Sequence, residues 1–255
     1  MDATRHSGRT AIVTGAGSGI GKATLLRLAR EGAQVVGCDV NSQGLQEALQ
    51  AVRDAGLDAR VSTADVTRQD DVDRVVDETM AAYGRIDVLA NVAGIMDWFL
   101  PVHEVNDETW SRVMAVNVTG PMMLCRKVLP GMMERHRGAI VNVGSIGGLG
   151  GGAAGAAYTT SKHALTGLTR SIAWTYRDAG IRCNIVCPGG VLTNIGATSV
   201  PRSQWGMERL SAYHALSVRM ADADEIASLI SWLASDEAVN VNGAVITADA
   251  GWTAS

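Results

Sequence analysis

Tyr158 and Lys162 have the residue types and the spacing for proton transfer. Four residues along an α-helix correspond to about 400° of rotation and ~6 Å of rise, so the two side chains share one face. A free phenol titrates near pH ~10, and a neighbouring ammonium favours the phenolate and lowers the pKa. Such a tyrosine can act as a general acid or base. The same spacing also occurs by chance on helices, so the interpretation depends on the segments upstream.

A glycine-rich segment, Thr14–Gly21, lies between an apolar run at Thr10–Thr14 and a helical pattern at Lys22–Glu31. Glycines let the backbone approach a pyrophosphate, and the free N–H groups at the start of the following helix bind negative charge. Glycines also form ordinary turns, but the strand–turn–helix order predicts a dinucleotide site. Its candidate residues are Gly15, Gly17, Ser18, Gly19, Ile20 and Gly21.

Asp39 is a second candidate, beside the glycine segment, for binding the dinucleotide. It follows a predicted strand at Gln34–Cys38 and lies 18 residues beyond Gly21, close to the ~20 at which a carboxylate accepts hydrogen bonds from the adenosine ribose. A carboxylate there also repels a 2′-phosphate, and Val40 and Asn41 follow it in place of an arginine. The pattern favours NAD over NADP, although Asp39 can also cap or turn the chain.

Strands and helices alternate through the rest of the chain, which indicates a parallel sheet with helices on both faces. At 255 residues and 47% hydrophobic, the chain can bury one large core. We therefore expect a single α/β domain over residues 1–255, with a doubly wound parallel sheet of about seven strands. The other predicted strands are Ala59–Thr63, Ile86–Ala90, Ala139–Val143, Ile181–Val186 and Ala244–Thr247, and the other predicted helices are Gln43–Ala55, Gln69–Tyr83, Asp107–Arg135, Gly155–Arg177 and Asp222–Ser235.

Three segments depart from this alternation. Proline cannot donate to the preceding helical turn, so Gly120-Pro121 predicts a break or kink in the helix at Asp107–Arg135. Residues 193–219 contain no clean strand and are expected to form a substrate-loop insertion beside the ligand crevice. Residues 1–9 form a short polar N-terminal extension without the apolar run of a signal peptide.

The charge and hydropathy of the chain narrow its partners. A formal net charge of −4 gives no basic field, so nucleic acid and acidic membrane surfaces are disfavoured. No window approaches the ~18 uninterrupted apolar residues of a membrane-spanning helix. A small molecule is the expected partner.

The cysteines and histidines indicate neither disulfides nor a metal. Cys183 and Cys187 are the closest pair in the sequence, and four strand steps hold their Cα atoms ~13 Å apart, beyond disulfide reach. We expect these two and Cys38 and Cys125 to be reduced and buried in a cytoplasmic protein. The histidines form no H-E-x-x-H or similar cluster, so no catalytic metal is predicted.

Together these motifs resemble the short-chain dehydrogenase/reductase superfamily over about residues 10–252. The segment Thr14–Gly21 is similar to its TGxxxGxG loop, and Ser145 with Tyr158-x-x-x-Lys162 matches its catalytic pattern. The resemblance implies a Rossmann fold and NAD(P) binding in which Tyr158 and Lys162 take part. The further cofactor contacts that it implies lie just after the strands, at Asp65, Val66, Asn91, Ala93, Gly94, Pro188, Gly189, Val191 and Thr193.

The resemblance also implies a mechanism. Hydride transfer to a carbonyl generates an alkoxide, and Tyr158 donates the proton to it or, as phenolate, takes the proton back from an alcohol. Ser145 hydrogen-bonds the same oxygen. Lys162 lowers the pKa of the tyrosine and holds the nicotinamide ribose, and Asn117, in an N-V-T-G context, positions a water that relays protons. Taken alone, Ser145 also fits a strand-end turn and Asn117 a helix cap.

Two positions depart from the family pattern. Val92 stands where the family usually has a second asparagine, and we expect cofactor binding to survive because the neighbouring motif residues remain. Asp249-Ala250-Gly251 stands where the family often has a double glycine, which affects packing near a subunit contact. By resemblance, the helices around residues 107–135 and 155–177 pair across a dimer interface, and the C-terminal strand completes a homotetramer.

We therefore expect an NAD-dependent oxidoreductase that acts on a secondary alcohol or ketone, alicyclic or otherwise apolar. The candidate substrate pocket residues are Met96, Trp98, Ile146, Gly147, Leu149, Ile195 and Trp205. Two alternatives are a reductase of carrier-bound 3-ketoacyl groups that uses NADPH, which a basic run within residues 126–137 would suit, and a non-catalytic NAD-binding scaffold. Asp39 argues against the first, and the complete catalytic pattern argues against the second.

Overall fold

The computed structural model describes residues 4–193 and 200–254. Its strands are β1 (Thr10–Thr14), β2 (Gln34–Asp39), β3 (Arg60–Thr63), β4 (Val88–Asn91), β5 (Gly138–Val143), β6 (Ile181–Pro188) and β7 (Val245–Ala248). They form one parallel sheet in the order β3-β2-β1-β4-β5-β6-β7. The strand order reverses between β1 and β4, which is the topology of a doubly wound Rossmann fold. The predicted fold class is confirmed.

Helices cover both faces of the sheet. They are α1 (Gly19–Arg30), α2 (Ser42–Asp54), α3 (Gln69–Tyr83), α4 (Asp107–Met114), α5 (Gly120–Glu134), α6 (Ala156–Thr175), α7 (Gln204–His214) and α8 (Ala223–Ala234). Most begin and end within two residues of the predicted bounds. The exceptions are α1, which begins three residues before the predicted Lys22, and α7, which lies inside the segment that was expected to be a loop insertion.

The central strands place alternate side chains in two apolar cores. Ala11 and Val13 of β1 pack with residues of α1, α2 and α8 on one face, and Ile12 between them packs with residues of α3, α5 and α6 on the other. The sequence of a strand in a parallel sheet that is buried on both faces is therefore a continuous apolar run rather than an alternation of apolar and polar residues.

The helix predicted at Asp107–Arg135 changes pitch just before the proline. α4 continues into one π-helical turn at Ala115–Thr119, and α5 begins at Gly120 with Pro121 in its first turn. The predicted break is thus a change of helix type rather than a gap, and Pro121, which has no N–H to donate to the preceding turn, follows just after the π turn. Single π turns within helices are frequent at functional sites, and this one carries Asn117.

The N-terminal extension is polar but packs into the protein. His6 is fully buried, with Nε2 3.0 Å from Oγ of Ser231, and Ser231 donates in turn to Glu31. Nη1 of Arg9 donates to the carbonyl oxygen of Ala234 at 2.8 Å. The extension therefore links the first strand to α8.

The described residues hold free thiols but neither a metal-binding cluster nor a membrane-spanning helix. All four cysteines are buried with free thiols. Over residues 4–193 and 200–254, no group of three His, Cys, Asp or Glu side chains is arranged to hold a metal ion. Within the same ranges, none of the helices has the length and apolar character that crossing a bilayer requires.

Candidate active site

A cavity of about 790 Å³ lies at the carboxyl ends of the central strands. Loops after β1, β2, β3, β4, β5 and β6 and the first turns of α6 contribute to its walls. Doubly wound sheets bind ligands at this edge, where the strand order reverses. The predicted residues on its surface are Gly15, Ser18, Gly19, Ile20, Gly21, Asp39, Asp65, Val66, Ala93, Gly94, Met96, Trp98, Ser145, Tyr158, Lys162, Pro188, Gly189, Val191 and Thr193.

The glycine loop closes one end of the cavity. Gly15 has φ +68°, in the left-handed region that favours glycine. A Cβ on Gly21, in the first turn of α1, would lie 2.0 Å from the carbonyl oxygen of Gly15. The helix start therefore packs directly on the loop, and its first N–H groups, which lack intrahelical acceptors, lie at this end of the cavity. This arrangement fits the pyrophosphate of a dinucleotide.

Asp39 lies at the end of β2 with its carboxylate toward the glycine loop. Its Oδ2 accepts a hydrogen bond from the N–H of Gly17 at 3.0 Å, and Oδ1 accepts from the N–H of Asn41 at 2.9 Å. Gly17 is not on the cavity wall but leaves room for the carboxylate, since a Cβ there would lie 3.0 Å from Oδ2. The fixed negative charge suits ribose hydroxyl donors and opposes a phosphate at the same place.

Thr14 holds the segment after β4. Its Oγ1 accepts from the N–H groups of Val92 and Ala93, both at 3.0 Å. Val92 takes part through its backbone, so this contact does not depend on the residue type that departs from the family pattern. Asn91 is buried off the cavity wall, and its Nδ2 donates to Oδ1 of Asn142 at 2.8 Å. Asn91 therefore supports the pairing of β4 with β5.

Ser145 follows β5 and Tyr158 lies in the first turn of α6, and the two side chains share one part of the cavity wall. Burial raises the pKa of Tyr158 to about 12, because the phenolate loses its hydration, and a hydrogen bond with the Ser145 side chain acts in the opposite direction. At neutral pH the phenol keeps its proton. This is the form that can protonate an alkoxide.

Lys162 lies one turn beyond the tyrosine. Its Nζ donates to the carbonyl oxygen of Val143 at 2.9 Å and lies 5.5 Å from the centre of the Tyr158 ring. Burial lowers the pKa of Lys162 to about 8. The pKa of Tyr158 is set by burial together with Ser145, Asp97 and Cys187, so the expectation that Lys162 lowers this pKa stays a prediction.

Asn117 is fully buried in the π turn. Its Oδ1 accepts from the N–H of Ile95 at 2.9 Å, and Nδ2 donates to the carbonyl oxygen of Ile95 and to Oγ of Ser161, both at 3.0 Å. The Ser161 hydroxyl donates to the carbonyl oxygen of Tyr158 at 2.7 Å. Asn117 thus connects the loop after β4 to the helix of the tyrosine, and its expected role of positioning a water stays a prediction.

Two of the apolar candidates lie on the cavity wall, Met96 and Trp98. The guanidinium of Arg202 stacks on the Trp98 ring, with its central carbon 3.7 Å from the ring centre. A stacked guanidinium of this kind limits the rotation of the indole and stabilises it by a cation–π interaction. Met96 and Trp98 thus contribute an apolar and an aromatic side chain to the cavity wall.

The other candidates lie elsewhere. Ile146 begins a buried 3₁₀ turn and points into the protein, and Leu149 at the end of that turn lines a second cavity of about 770 Å³. Trp205 on α7 is 53% exposed and off both cavity walls. Gly147 lies against the tyrosine, where a Cβ would be 3.4 Å from the Tyr158 ring. Ile195 lies outside the described residues.

Sequence reasoning missed the hydrogen bonds of Thr14, although this residue begins the TGxxxGxG-like segment, and it missed Asp97, which belongs to no recognised motif. Asp97 is fully buried, and its Oδ2 accepts from the backbone N–H of Tyr158 at 2.9 Å. The only signal in the sequence was one carboxylate among apolar residues shortly after the Asn91–Gly94 motif. Further wall residues that were not predicted are Val40, Ala64, Thr67, Val92, Ile95, Arg112, Val116, Val143 and Gly144.

Comparisons with known proteins agree with this geometry. Residues 9–204 match the family model described as short chain dehydrogenase. A 3beta-hydroxysteroid dehydrogenase 2 of Eggerthella lenta is 40% identical over 259 residues, which cover 100% of both chains. The solved structure of a levodione reductase has a TM-score of 0.91 and 33% identity, and the match covers 98% of this chain and 100% of that one.

A second solved structure bears on the cofactor. It is a single-residue variant of an actinorhodin polyketide ketoreductase with NADPH, which has a TM-score of 0.88 and 33% identity, with 98% of each chain covered. The fold is therefore shared with a protein that holds the 2′-phosphorylated dinucleotide. The choice between NAD and NADP has to be argued from residues of the cavity rather than from the fold.

Proposed function

The chain belongs to the short-chain dehydrogenase family, and from this premise we propose that it transfers a hydride between NAD(H) and a secondary alcohol or ketone on an apolar ring. The observation that carries the proposal is that the side chains of Ser145 and Tyr158 lie side by side on the wall of the cavity at the sheet edge. A phenol and a hydroxyl that converge on one region can both hydrogen-bond a single substrate oxygen.

Each residue of the pair has a distinct task. A nicotinamide dinucleotide, when bound, supplies or accepts the hydride. Tyr158 gives its proton to the substrate oxygen during ketone reduction and removes it during alcohol oxidation. Ser145 orients the same oxygen and stabilises negative charge on it. Lys162, whose Nζ is anchored on Val143, provides further N–H donors at the base of the cavity.

Asp39 supports NAD as the preferred dinucleotide. Its carboxylate is fixed by two backbone N–H groups and lies on the cavity wall. A ribose 2′-hydroxyl can donate to such a group, whereas a 2′-phosphate would meet like charge. The residue that follows, Val40, also lies on the wall and offers no cation to a phosphate.

The wall formed by Met96 and Trp98 supports an apolar substrate. A flat aromatic surface beside the proton donor fits the face of a saturated ring better than an ionic group. The 40% identical relative is named for a hydroxysteroid, which is a ring alcohol. Both observations favour an alicyclic alcohol over a carrier-bound 3-ketoacyl group.

We also propose a homotetramer with a dimer as its subassembly, in the cytoplasm. Large apolar side chains are exposed on the three helices that would pair, with Trp110 of α4 38%, Met133 of α5 41% and Trp174 of α6 71% exposed. Light scattering of the purified protein measures the assembly directly. The four free, buried thiols are consistent with a reducing compartment.

The test is a matrix of two cofactors and three substrates. A monocyclic ketone, a 3-ketosteroid and a 3-ketoacyl thioester are offered with NADH and with NADPH, and the loss of nicotinamide absorbance is followed. We expect ring ketones with NADH to react fastest and Tyr158→Phe to lose about 10³-fold in kcat. Tyr176→Phe, a half-buried tyrosine at the end of α6, is the matched control. Fastest turnover of the thioester with NADPH would establish the alternative function.

A further inference from the structure

The carboxylate of Asp97 lies fully buried on the loop between β4 and α4, beside the reactive tyrosine. Oδ2 accepts from the backbone N–H of Tyr158 at 2.9 Å, and Oδ1 accepts from the N–H of Phe99 at 3.2 Å. The backbone N–H of Gly155 hydrogen-bonds to the same carboxylate. None of the chemical steps of the proposed function uses this group.

The helix of the tyrosine has no cap of its own. Its N-cap residue is Gly155, which has no side chain to accept from the first N–H groups of α6. The preceding loop supplies the acceptors instead: the carbonyl oxygen of Leu100 accepts from Ala156 at 2.9 Å, and Asp97 accepts from Tyr158. A Cβ on Gly155 would lie 2.5 Å from Oδ2 of Asp97. The carboxylate therefore fills the place that a capping side chain would take.

The same carboxylate stabilises an unfavourable turn in the substrate wall. Trp98 and Phe99 have φ +54° and +60°, a conformation that costs energy for residues with a Cβ. The hydrogen bond from Phe99 to Asp97 and one from the N–H of Arg202 to the carbonyl oxygen of Trp98, at 3.1 Å, hold this turn. Trp98 lines the cavity together with Tyr158. The Asp97 carboxylate therefore connects the first turn of α6 to the Trp98 turn, and both contribute to the cavity wall.

We propose that Asp97 is a positioning residue that locks the first turn of α6 to the Trp98 turn, so that the phenol of Tyr158 and the aromatic wall keep a fixed relation. The catalytic role of Asp97 depends on the proposed function, whereas its hydrogen bonds to Tyr158 and Phe99 do not. The negative charge of Asp97 also acts on the phenol. It raises the pKa of Tyr158, as burial does, whereas the hydrogen bond with Ser145 lowers it. The other titratable groups that face the phenol are Lys162 and Cys187.

A titration of Tyr158 tests the proposal without turnover. Tyrosine labelled with ¹³C at Cζ reports each phenol by NMR, and Tyr158→Phe assigns the signal. In Asp97→Asn, which keeps the shape but removes the charge and one of the two acceptor oxygens, we expect the pKa of Tyr158 to fall by about one unit. We also expect kcat for ketone reduction to fall about tenfold with an unchanged Kd for NADH. Wild-type titration together with wild-type kcat in this variant overturns the proposal.

Two substitutions at the same position separate capping from charge. Asp97→Asn keeps one acceptor oxygen for the backbone N–H groups, whereas Asp97→Ala removes both acceptors. We expect the pKa of Tyr158 to fall in both variants, and Tm and kcat to fall further in Asp97→Ala than in Asp97→Asn. Asp222→Ala is the control, since Asp222 caps α8 on the opposite face of the sheet, and only Tm should fall.

The outcomes remain distinct from those of the proposed function. If Asp97→Ala behaves as Asp222→Ala does, with a lower Tm but a wild-type Tyr158 titration and kcat, Asp97 is a structural cap only and the proposal fails. If the wild-type protein reduces none of the ketones, the proposed function fails, while a shifted titration in Asp97→Asn still supports the coupling of Asp97 to the phenol.

Discussion

Gly21 packs against Gly15 so closely that a Cβ on Gly21 would lie 2.0 Å from the carbonyl oxygen of Gly15. No side-chain rotation relieves this contact, because an added methyl group has no rotamers and the carbonyl oxygen belongs to the backbone. Gly21→Ala must therefore displace either the loop or the first turn of α1, and both form the end of the cavity where a pyrophosphate would bind.

For Gly21→Ala we expect the free energy of unfolding to fall by about 1–3 kcal/mol and the Kd for NADH to rise more than about tenfold. Calorimetric titration and urea unfolding measure the two effects. Gly167→Ala is the matched control: Gly167 is exposed in α6 with no atom within 4 Å of an added Cβ, and alanine there should stabilise the helix by about 0.5–1 kcal/mol. Wild-type NADH affinity in Gly21→Ala would contradict the loop assignment.

Removal of the Asp39 carboxylate should change the cofactor preference. In Asp39→Ala the ribose loses an acceptor and the 2′-phosphate loses a repelling charge, so the ratio of kcat/KM with NAD(H) to that with NADP(H) should fall about 10²-fold. Steady-state kinetics with both cofactors measure this ratio. Glu47→Ala removes an equal charge from the exposed face of the adjacent helix α2 and should leave the ratio unchanged. Equal ratios for both variants would show that Asp39 does not select the cofactor.

The raised pKa of Tyr158 predicts different pH profiles for the two directions. Ketone reduction needs the protonated phenol, so kcat/KM should be flat through neutral pH, well below the pKa of about 12. Alcohol oxidation needs the phenolate, so kcat/KM should rise about tenfold per pH unit over the same range. Ser145→Ala removes the hydrogen bond that lowers this pKa, so at fixed pH oxidation should slow more than reduction. Parallel profiles for the two directions would exclude the phenol as the group that titrates.

Motifs of fixed spacing were recovered from the sequence because their physics is local. The strand–turn–helix order around Gly15, the place of Asp39 at the end of β2 and the shared helix face of Tyr158 and Lys162 all depend on residues close in the chain or on strand order. The alternation of apolar runs was enough for the sheet, since parallel strands need crossover helices.

Properties that depend on burial and on distant contacts were not recovered. The direction of the Tyr158 pKa shift follows from how far the interior excludes water, which one helical spacing does not show. Leu149 and Trp205 were assigned to the pocket by residue type, but the 3₁₀ turn after Ser145 and the orientation of α7 place them elsewhere. Asp97 accepts a hydrogen bond from Tyr158, 61 residues later in the chain. A local sequence pattern does not indicate such a contact.

The buried histidine near the N-terminus predicts a loss of stability in acid. Burial is the main cause that lowers the pKa of His6 to about 4, and the nearby cation of Arg9 adds to it while Glu31 opposes it. Nδ1 of His6 also has no hydrogen-bond partner among the described residues. The unfolded chain binds a proton near pH 6.5 and the folded chain only near pH 4, so between these values the unfolded state holds more protons. Stability therefore falls as the pH decreases through this window, by about 3 kcal/mol in total.

Urea unfolding followed by circular dichroism between pH 4 and 7 measures this slope. His6→Gln cannot take up the proton, so the variant should have a smaller loss of stability in acid than the wild type, even if its stability at pH 7 is reduced by the changed contact with Ser231. His163→Gln, an exposed position on α6, controls for the loss of a histidine as such. A His6→Gln protein with the full wild-type slope would place the acid sensitivity in the carboxylates, because protonation of paired carboxylates is the other common cause of acid unfolding.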